Sequence, residues 1–251
     1  MGVDAMATKY PGMNPYNFTM GNPIMAIDPD GNDAWPVTQQ WTPKMVRAYQ
    51  NFVTQESNRI LAIGNLGVPT EECTFDCTDL AVVLLVRFAS ENGLPVSFTA
   101  NRSSNESGYS FSYGDQLRSD DENLIKYDPS NPDKSIEEYT QLVRRFTGAQ
   151  SIRKFDAFEI GSQELAVGDL RLSGIHTELF MDKTGDVFKI ISGTIDFSNP
   201  NNGVIIDDNR VYQQFIYSSL DLFRWNEIGL GLRNDDILQL NSKPINNIIE
   251  D

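Results

Sequence analysis

Histidine is all but missing from this chain: His176 is the only one in 251 residues. Cysteine is nearly as scarce, with Cys73 and Cys77 alone. A four-ligand structural zinc site drawn from so few thiols and imidazoles would have to recruit a carboxylate, an uncommon donor set. A disulfide between cysteines four apart would be strained. Cations are also in short supply, 20 Lys and Arg against 35 Asp and Glu, for a net charge of −15. Neutralising phosphate needs Lys and Arg, so nucleic acid is not expected as a substrate and a nuclease is disfavoured. No apolar run approaches membrane-spanning length, and the amino terminus lacks the basic-then-apolar pattern of a signal peptide. No membrane span is therefore expected, and any export would use another carrier. The 40% apolar and 22% charged composition suits a soluble globular protein of one large or two small domains.

The scarce residues fall at telling places. Cys77 lies in Phe75-Asp76-Cys77-Thr78-Asp79-Leu80, where a polar loop gives way to the apolar run Ala81-Val82-Val83-Leu84-Leu85-Val86. This pattern predicts a core helix over residues 77–92, capped by Asp76 or Thr78 and ended by Gly93 and Pro95. The first turn of a helix offers unpaired N–H groups and the positive end of the dipole, both of which favour the nucleophilic thiolate. His176 opens an alternating segment, with Glu178 and Phe180 on its face and Thr177, Leu179 and Met181 on the other. A strand, a turn over 182–186 and a returning strand from Val187 to Ser192 follow. A three-residue loop at Lys183-Thr184-Gly185 would set His176 opposite Ser192, and a two-residue loop would set Gly193 there. Ser192, or failing that Asp196, could then orient the imidazole. Glu178 reads as a solvated strand carboxylate. Cys73 reads as structural or incidental.

Upstream, residues 1–33 are dense in Gly, Pro, Asn and Asp with intermittent aromatics, a run of turns unable to form a core of its own. Thr42-Pro43 starts a helix whose inward stripe is Met45, Val46, Tyr49, Phe52, Val53, Ile60 and Leu61. Residues 101–134 form a polar stretch with alternating Tyr109, Phe111 and Tyr113, either a surface insertion or a flap over a cleft. Ser135-Ile136-Glu137-Glu138 reads as a capping box opening a helix that runs to Gly148, with Ile136, Tyr139, Leu142, Val143 and Phe146 inward. The helix dipole and solvent account for Arg144 and Arg145 near its end. From Phe155 onward short alternating segments suggest an antiparallel sheet. Val204-Ile205-Ile206 and Val211 to Tyr217 are among its strands, and Asn199 to Gly203 is a turn.

Phe-Asp-Cys-Thr-Asp-Leu at 75–80 resembles the Phe-Asp-Cys-Ser-Gly-Leu signature of NlpC-like cell-wall cysteine peptidases. Gly168-Asp169-Leu170, a short gap, and His176 opening a strand-turn-strand resemble their Gly-Asp-Leu and His-Val-Gly-Ile-Tyr segments. The resemblance covers residues 70–210. It implies an α+β, papain-like fold in permuted order, a cysteine-bearing helix packed on an antiparallel sheet. Asp79 stands where that family usually has Gly, Thr177-Glu178 replace small residues, and Ser192 takes the place of a His, Asn or Gln. A second resemblance lies upstream. Tyr10-Pro11-Gly12 through Asn14-Pro15-Tyr16, Gly21-Asn22-Pro23-Ile24 and Ile27-Asp28-Pro29-Asp30-Gly31 are similar to the last repeat of an Rhs, or YD-repeat, core. In that family a β-repeat shell encloses a variable C-terminal toxin, with Asp-Pro-x-Gly at the junction. The expected domains are thus a repeat junction over 1–33 and a papain-like toxin over 34–251.

Together these readings give a secreted effector, delivered into a target cell by a contact-dependent system and matched by a cognate immunity protein. Its expected catalytic residues are Cys77 as nucleophile, His176 as general base and acid, and Ser192 as orienter, with helix-start N–H groups as the oxyanion site. No cofactor or metal is expected. The first expected activity is cleavage of peptidoglycan amide bonds. The alternatives are a protease, deamidase or acyltransferase acting on proteins in the target cytosol, and a non-catalytic binding tip.

Overall fold

The computed structural model describes residues 34–64, 76–106, 109–121, 124–185, 187–195, 204–207, 211–213 and 221–227. The expected repeat junction, Cys73, Asp196, the turn at 199–203 and everything after 227 lie outside the described residues. Within them the chain is α+β, with helices packed against antiparallel strands.

Helix α1 spans Pro43–Gly64, with Thr42 Oγ1 accepting from the Met45 N–H at 3.3 Å, as the Thr-Pro start implies. Its stripe buries Val46, Tyr49, Val53 and Ile60, with Met45, Phe52 and Leu61 packed at the margin. Helix α2 spans Cys77–Glu91 and buries ten residues, Leu80, Leu84, Leu85, Val86 and Phe88 among them. Each such aliphatic or aromatic side chain contributes roughly 1.5–3 kcal/mol on leaving water. Helix α3 spans Pro132–Phe146, starting three residues ahead of the expected Ser135 because Pro132 takes the first helical position. Ser135 is consequently no cap; its hydroxyl accepts from the Asp128 N–H at 2.9 Å. Tyr139, Leu142, Val143 and Phe146 point inward, as the spacing requires. The polar stretch between α2 and α3 is ordered into two small pairings. Strand β1 (Ser97–Thr99) pairs with β4 (Gln116–Arg118), and β2 (Ser104–Glu106) with β3 (Tyr109–Phe111).

The main sheet has seven strands: β5 (Ala157–Glu159), β6 (Leu170–Ser173), β7 (His176–Thr184), β8 (Val187–Ile195), β9 (Val204–Asp207), β10 (Val211–Gln213) and β11 (Leu222–Trp225). Their order is β10-β8-β7-β6-β11-β5, with β9 also pairing β8. Alternation divides the faces. Leu170, Leu172, Leu179, Met181, Ile191, Phe223 and Trp225 join the helices in the main core. Phe180, Phe188, Ile190 and Leu222 form a smaller cluster on the other face with Ile160 and Leu165. Helix α2 lies against β7 and β8 on the first of these faces.

Two details hold the layers in place. Gly168 has φ +89°, and a Cβ there would stand 2.8 Å from Tyr49 Cε1, so the backbone before β6 rests directly on α1. Residues 34–41 form a strap along the other end of α2. The indole N–H groups of Trp35 and Trp41 donate to Leu94 O and Pro95 O at 3.0 and 2.9 Å. The N–H groups of Thr38 and Gln39 both reach Gly93 O at 2.9 Å. Ala34 N–H donates to Ser119 O at 2.7 Å.

Candidate active site

Asp76 is the N-cap of α2. Its Oδ1 accepts from the N–H groups of Thr78 and Asp79 at 2.8 and 2.7 Å, while Asp79 Oδ2 accepts from the Asp76 N–H at 3.3 Å. This reciprocal box fixes Cys77 as the first helical residue, half-buried and with its thiol free. It also corrects one expectation. Two of the helix-start N–H groups are committed to Asp76, and the Cys77 N–H is the one without a partner among the described residues. Among the described residues, that N–H is the backbone donor of the helix start left for an oxyanion over Sγ.

Asp79, the departure from Gly in the resembling signature, is buried and closes an ion pair with Arg144 Nη2 at 2.9 Å. Burial pushes its carboxyl above the usual range, and the hydrogen bond from Arg144 pulls it back. Arg144 is therefore not held by dipole and solvent alone: it ties α3 to the first turn of the cysteine helix.

The sheet delivers the second component. Strand β7 begins at His176, after the Gly174-Ile175 turn from β6, with Ser173 paired to His176. Thr177 Oγ1 lies 3.2 Å from Thr78 Oγ1, so the first turn of α2 docks on the first residues of β7. The Cys77 thiol meets the same place, donating to Ile175 O at 3.7 Å, with Thr78 Oγ1 at 4.0 Å. No hydrogen bond joins Cys77 Sγ to the imidazole among the described residues. By alternation the ring lies on the face of Glu178 and Phe180, opposite the one α2 packs on, so direct proton transfer requires the ring to turn around the end of β7.

Ser192 Oγ stands 3.2 Å from His176 Nε2, so these two candidate residues are brought together. The register that does so differs from both expected ones. Thr184 pairs with Val187 across a two-residue loop, and a bulge between Phe180 and Asp182 shifts the pairing to Phe180 with Ile190 and Leu179 with Ile191. Continued, that register sets Ser192 opposite Glu178 and diagonal to His176, within reach of a long side chain on the same face.

Ser192 Oγ also lies 3.1 Å from Thr177 O and 3.3 Å from Gly193 O, and carbonyls only accept. With the hydroxyl proton on a carbonyl, Oγ accepts from His176 Nε2–H and Nδ1 carries the lone pair; with it on Nε2, the ring proton sits on Nδ1.

Glu178 corrects the reading as a solvated carboxylate. It is 1% exposed, bonded through Oε2 to Arg171 Nη1 at 2.6 Å, with Oε1 3.7 Å from His176 Nε2. A signal existed in the sequence. A two-residue turn at Gly174-Ile175 pairs Arg171 with Glu178, which is the register found.

Gly168-Asp169-Leu170 anchors the site without entering it. Asp169 makes a bidentate pair with Arg224, both at 2.7 Å and both 2% exposed, and accepts from the Ala166 N–H at 2.7 Å. Its backbone carbonyl accepts from the Phe180 N–H at 3.0 Å, which sets β7 against β6. Among the described residues no group of three or more His, Cys, Asp and Glu could hold a metal ion, and no helix is long and apolar enough to cross a membrane. No family model matches this chain, and no curated protein or solved structure matches it either.

Proposed function

We propose that this domain is a papain-like, NlpC-like cysteine hydrolase, carried as the toxin tip of an Rhs-type effector, that cleaves amide bonds in peptidoglycan. One observation carries the reading. A free thiol on a capped helix terminus meets the strand end whose first residue is a histidine bonded to Ser192. The Rhs part rests on the repeat-like residues 10–31.

In the proposed reaction His176 Nδ1 takes the Cys77 proton as Sγ attacks the amide carbonyl carbon. The oxyanion faces the Cys77 N–H and the positive end of α2. Collapse breaks the C–N bond, and His176 returns the proton to the leaving amine, giving a thioester. Water, deprotonated by the same nitrogen, hydrolyses the thioester and restores the thiol. Ser192 keeps Nε2 engaged throughout.

The test is expression of the chain in bacteria with and without a periplasmic signal, beside Cys77→Ala and His176→Ala. Lysis confined to the periplasmic, unmutated protein supports a cell-wall hydrolase. Toxicity confined to the cytoplasm moves the substrate to a cytosolic protein. Full toxicity of Cys77→Ala ends the catalytic reading.

A further inference from the structure

We propose that Glu178 is a positioning residue for His176, with Arg171 holding the Glu178 carboxylate beneath the imidazole. The inference rests on the reading of His176 as the base. A carboxylate that is 1% exposed has to be paired, and Arg171 supplies one partner at 2.6 Å. The other oxygen lies 3.7 Å from Nε2 of a side chain that is 37% exposed. That separation exceeds a hydrogen bond but lies well within the range over which a buried charge acts on a neighbouring polar ring.

The geometry gives Glu178 two effects on the site. It favours the proton on Nε2, the arrangement in which Ser192 Oγ accepts from the ring, and leaves Nδ1 free. It also stabilises the imidazolium that exists between the two proton transfers. Arg171 opposes the second effect while anchoring the carboxylate, so it moderates the charge felt at the ring. Strand alternation brings the group here: Glu178 is two residues from His176 on one face, and the β7–β8 register brings Ser192 to the same place. From α2 the ionisable groups of the first turn are Cys77 and Asp79, the latter paired with Arg144.

With one histidine in the chain, its ring nitrogens are readable without assignment ambiguity and without any substrate. The experiment is NMR of ¹⁵N-histidine-labelled protein, reading the neutral ring's tautomer populations in the unmutated chain, Glu178→Gln and Arg171→Gln. Glu178→Gln is expected to raise the share of the Nδ1–H tautomer, and Arg171→Gln to lower it. Opposite signs identify charge coupling, since a merely loosened strand would move both variants alike. If Glu178→Gln fails to fold, the half-buried Arg171→Gln still reads the coupling. Unchanged tautomer populations, or changes of one sign in both variants, overturn the proposal. Failure of the hydrolase reading is separate: an inactive protein with these opposed shifts keeps the positioning role and loses only the reaction.

Discussion

Arg224→Met should be among the costliest single changes in the domain. Arg224 meets both Asp169 oxygens at 2.7 Å and also donates to Glu164 O at 2.6 Å. Both partners are 2% exposed, so neither charge can turn to water. Methionine fills much of the volume but leaves the Asp169 carboxylate buried, with the Ala166 N–H as its remaining donor. Breaking a buried pair in this way costs about 3–5 kcal/mol. With a urea slope of about 2–3 kcal/mol/M, the unfolding midpoint drops by roughly 1–2.5 M. Tryptophan fluorescence, to which the buried Trp35, Trp41 and Trp225 all contribute, reports the transition. The pH dependence has a defined sign. Burial already pushes the Asp169 carboxyl upward against the pull of Arg224, and losing the arginine pushes it further. A carboxyl raised in the folded state stabilises most at acid pH and loses that contribution as pH rises through its folded value. The deficit of Arg224→Met therefore shrinks as the solution is acidified. Asp169→Asn combined with Arg224→Met removes both charges and should be milder than the sum of the single variants. A cost below about 1 kcal/mol at neutral pH, or a deficit that grows on acidification, would refute the reasoning.

Gly168→Ala forces a Cβ to 2.8 Å from Tyr49 Cε1 at φ +89°, so backbone strain of roughly 1–3 kcal/mol is joined by displacement of α1. Gly174→Ala, at φ +62° with nothing within 4 Å of the new Cβ, bears the strain alone. Thermal melts should rank Gly168→Ala well below Gly174→Ala, and equal melting points would contradict the packing account. Burial pushes Glu227 to about 7 and Asp156 to about 6. Both contribute stability in acid that fades as pH rises through those values, with a slope of up to ~1.4 kcal/mol per pH unit for each group. Glu227→Gln and Asp156→Asn should flatten that decline in denaturant midpoints measured from about pH 4.5 to pH 8. An unaltered slope would count against it.

The helices were legible because each has a periodic apolar stripe and an identifiable start. Thr42-Pro43 and Asp76 act as their chemistry suggests, whereas Ser135 lost its cap to Pro132 three residues earlier. The cysteine helix and the histidine strand were likewise readable from local pattern. The long-range partners were not. Arg144 with Asp79, Arg224 with Asp169 and Glu178 beneath His176 join residues whose proximity depends on how layers stack. The hairpin register failed for a local reason: Thr184 pairs with Val187, so the loop falls one residue later than expected, and the bulge between Phe180 and Asp182 restores only one residue of that shift. Glu178 was misjudged because alternation assigns a face but does not say whether that face is covered. Here a second apolar cluster including Phe180 and Phe188 lies on it.

The strap over residues 34–41 bears on how the domain would yield to force. Two indoles and three backbone N–H groups fasten it to consecutive carbonyls at the end of α2 and to Ser119. A chain drawn from its amino-terminal side through a narrow passage loads these bonds first, before any strand of the main sheet feels tension. Next in line is α1, clasped through Tyr49 against Gly168. Mechanical yielding would thus begin at the tryptophan strap, leaving the hairpin that bears His176 among the last parts to give way.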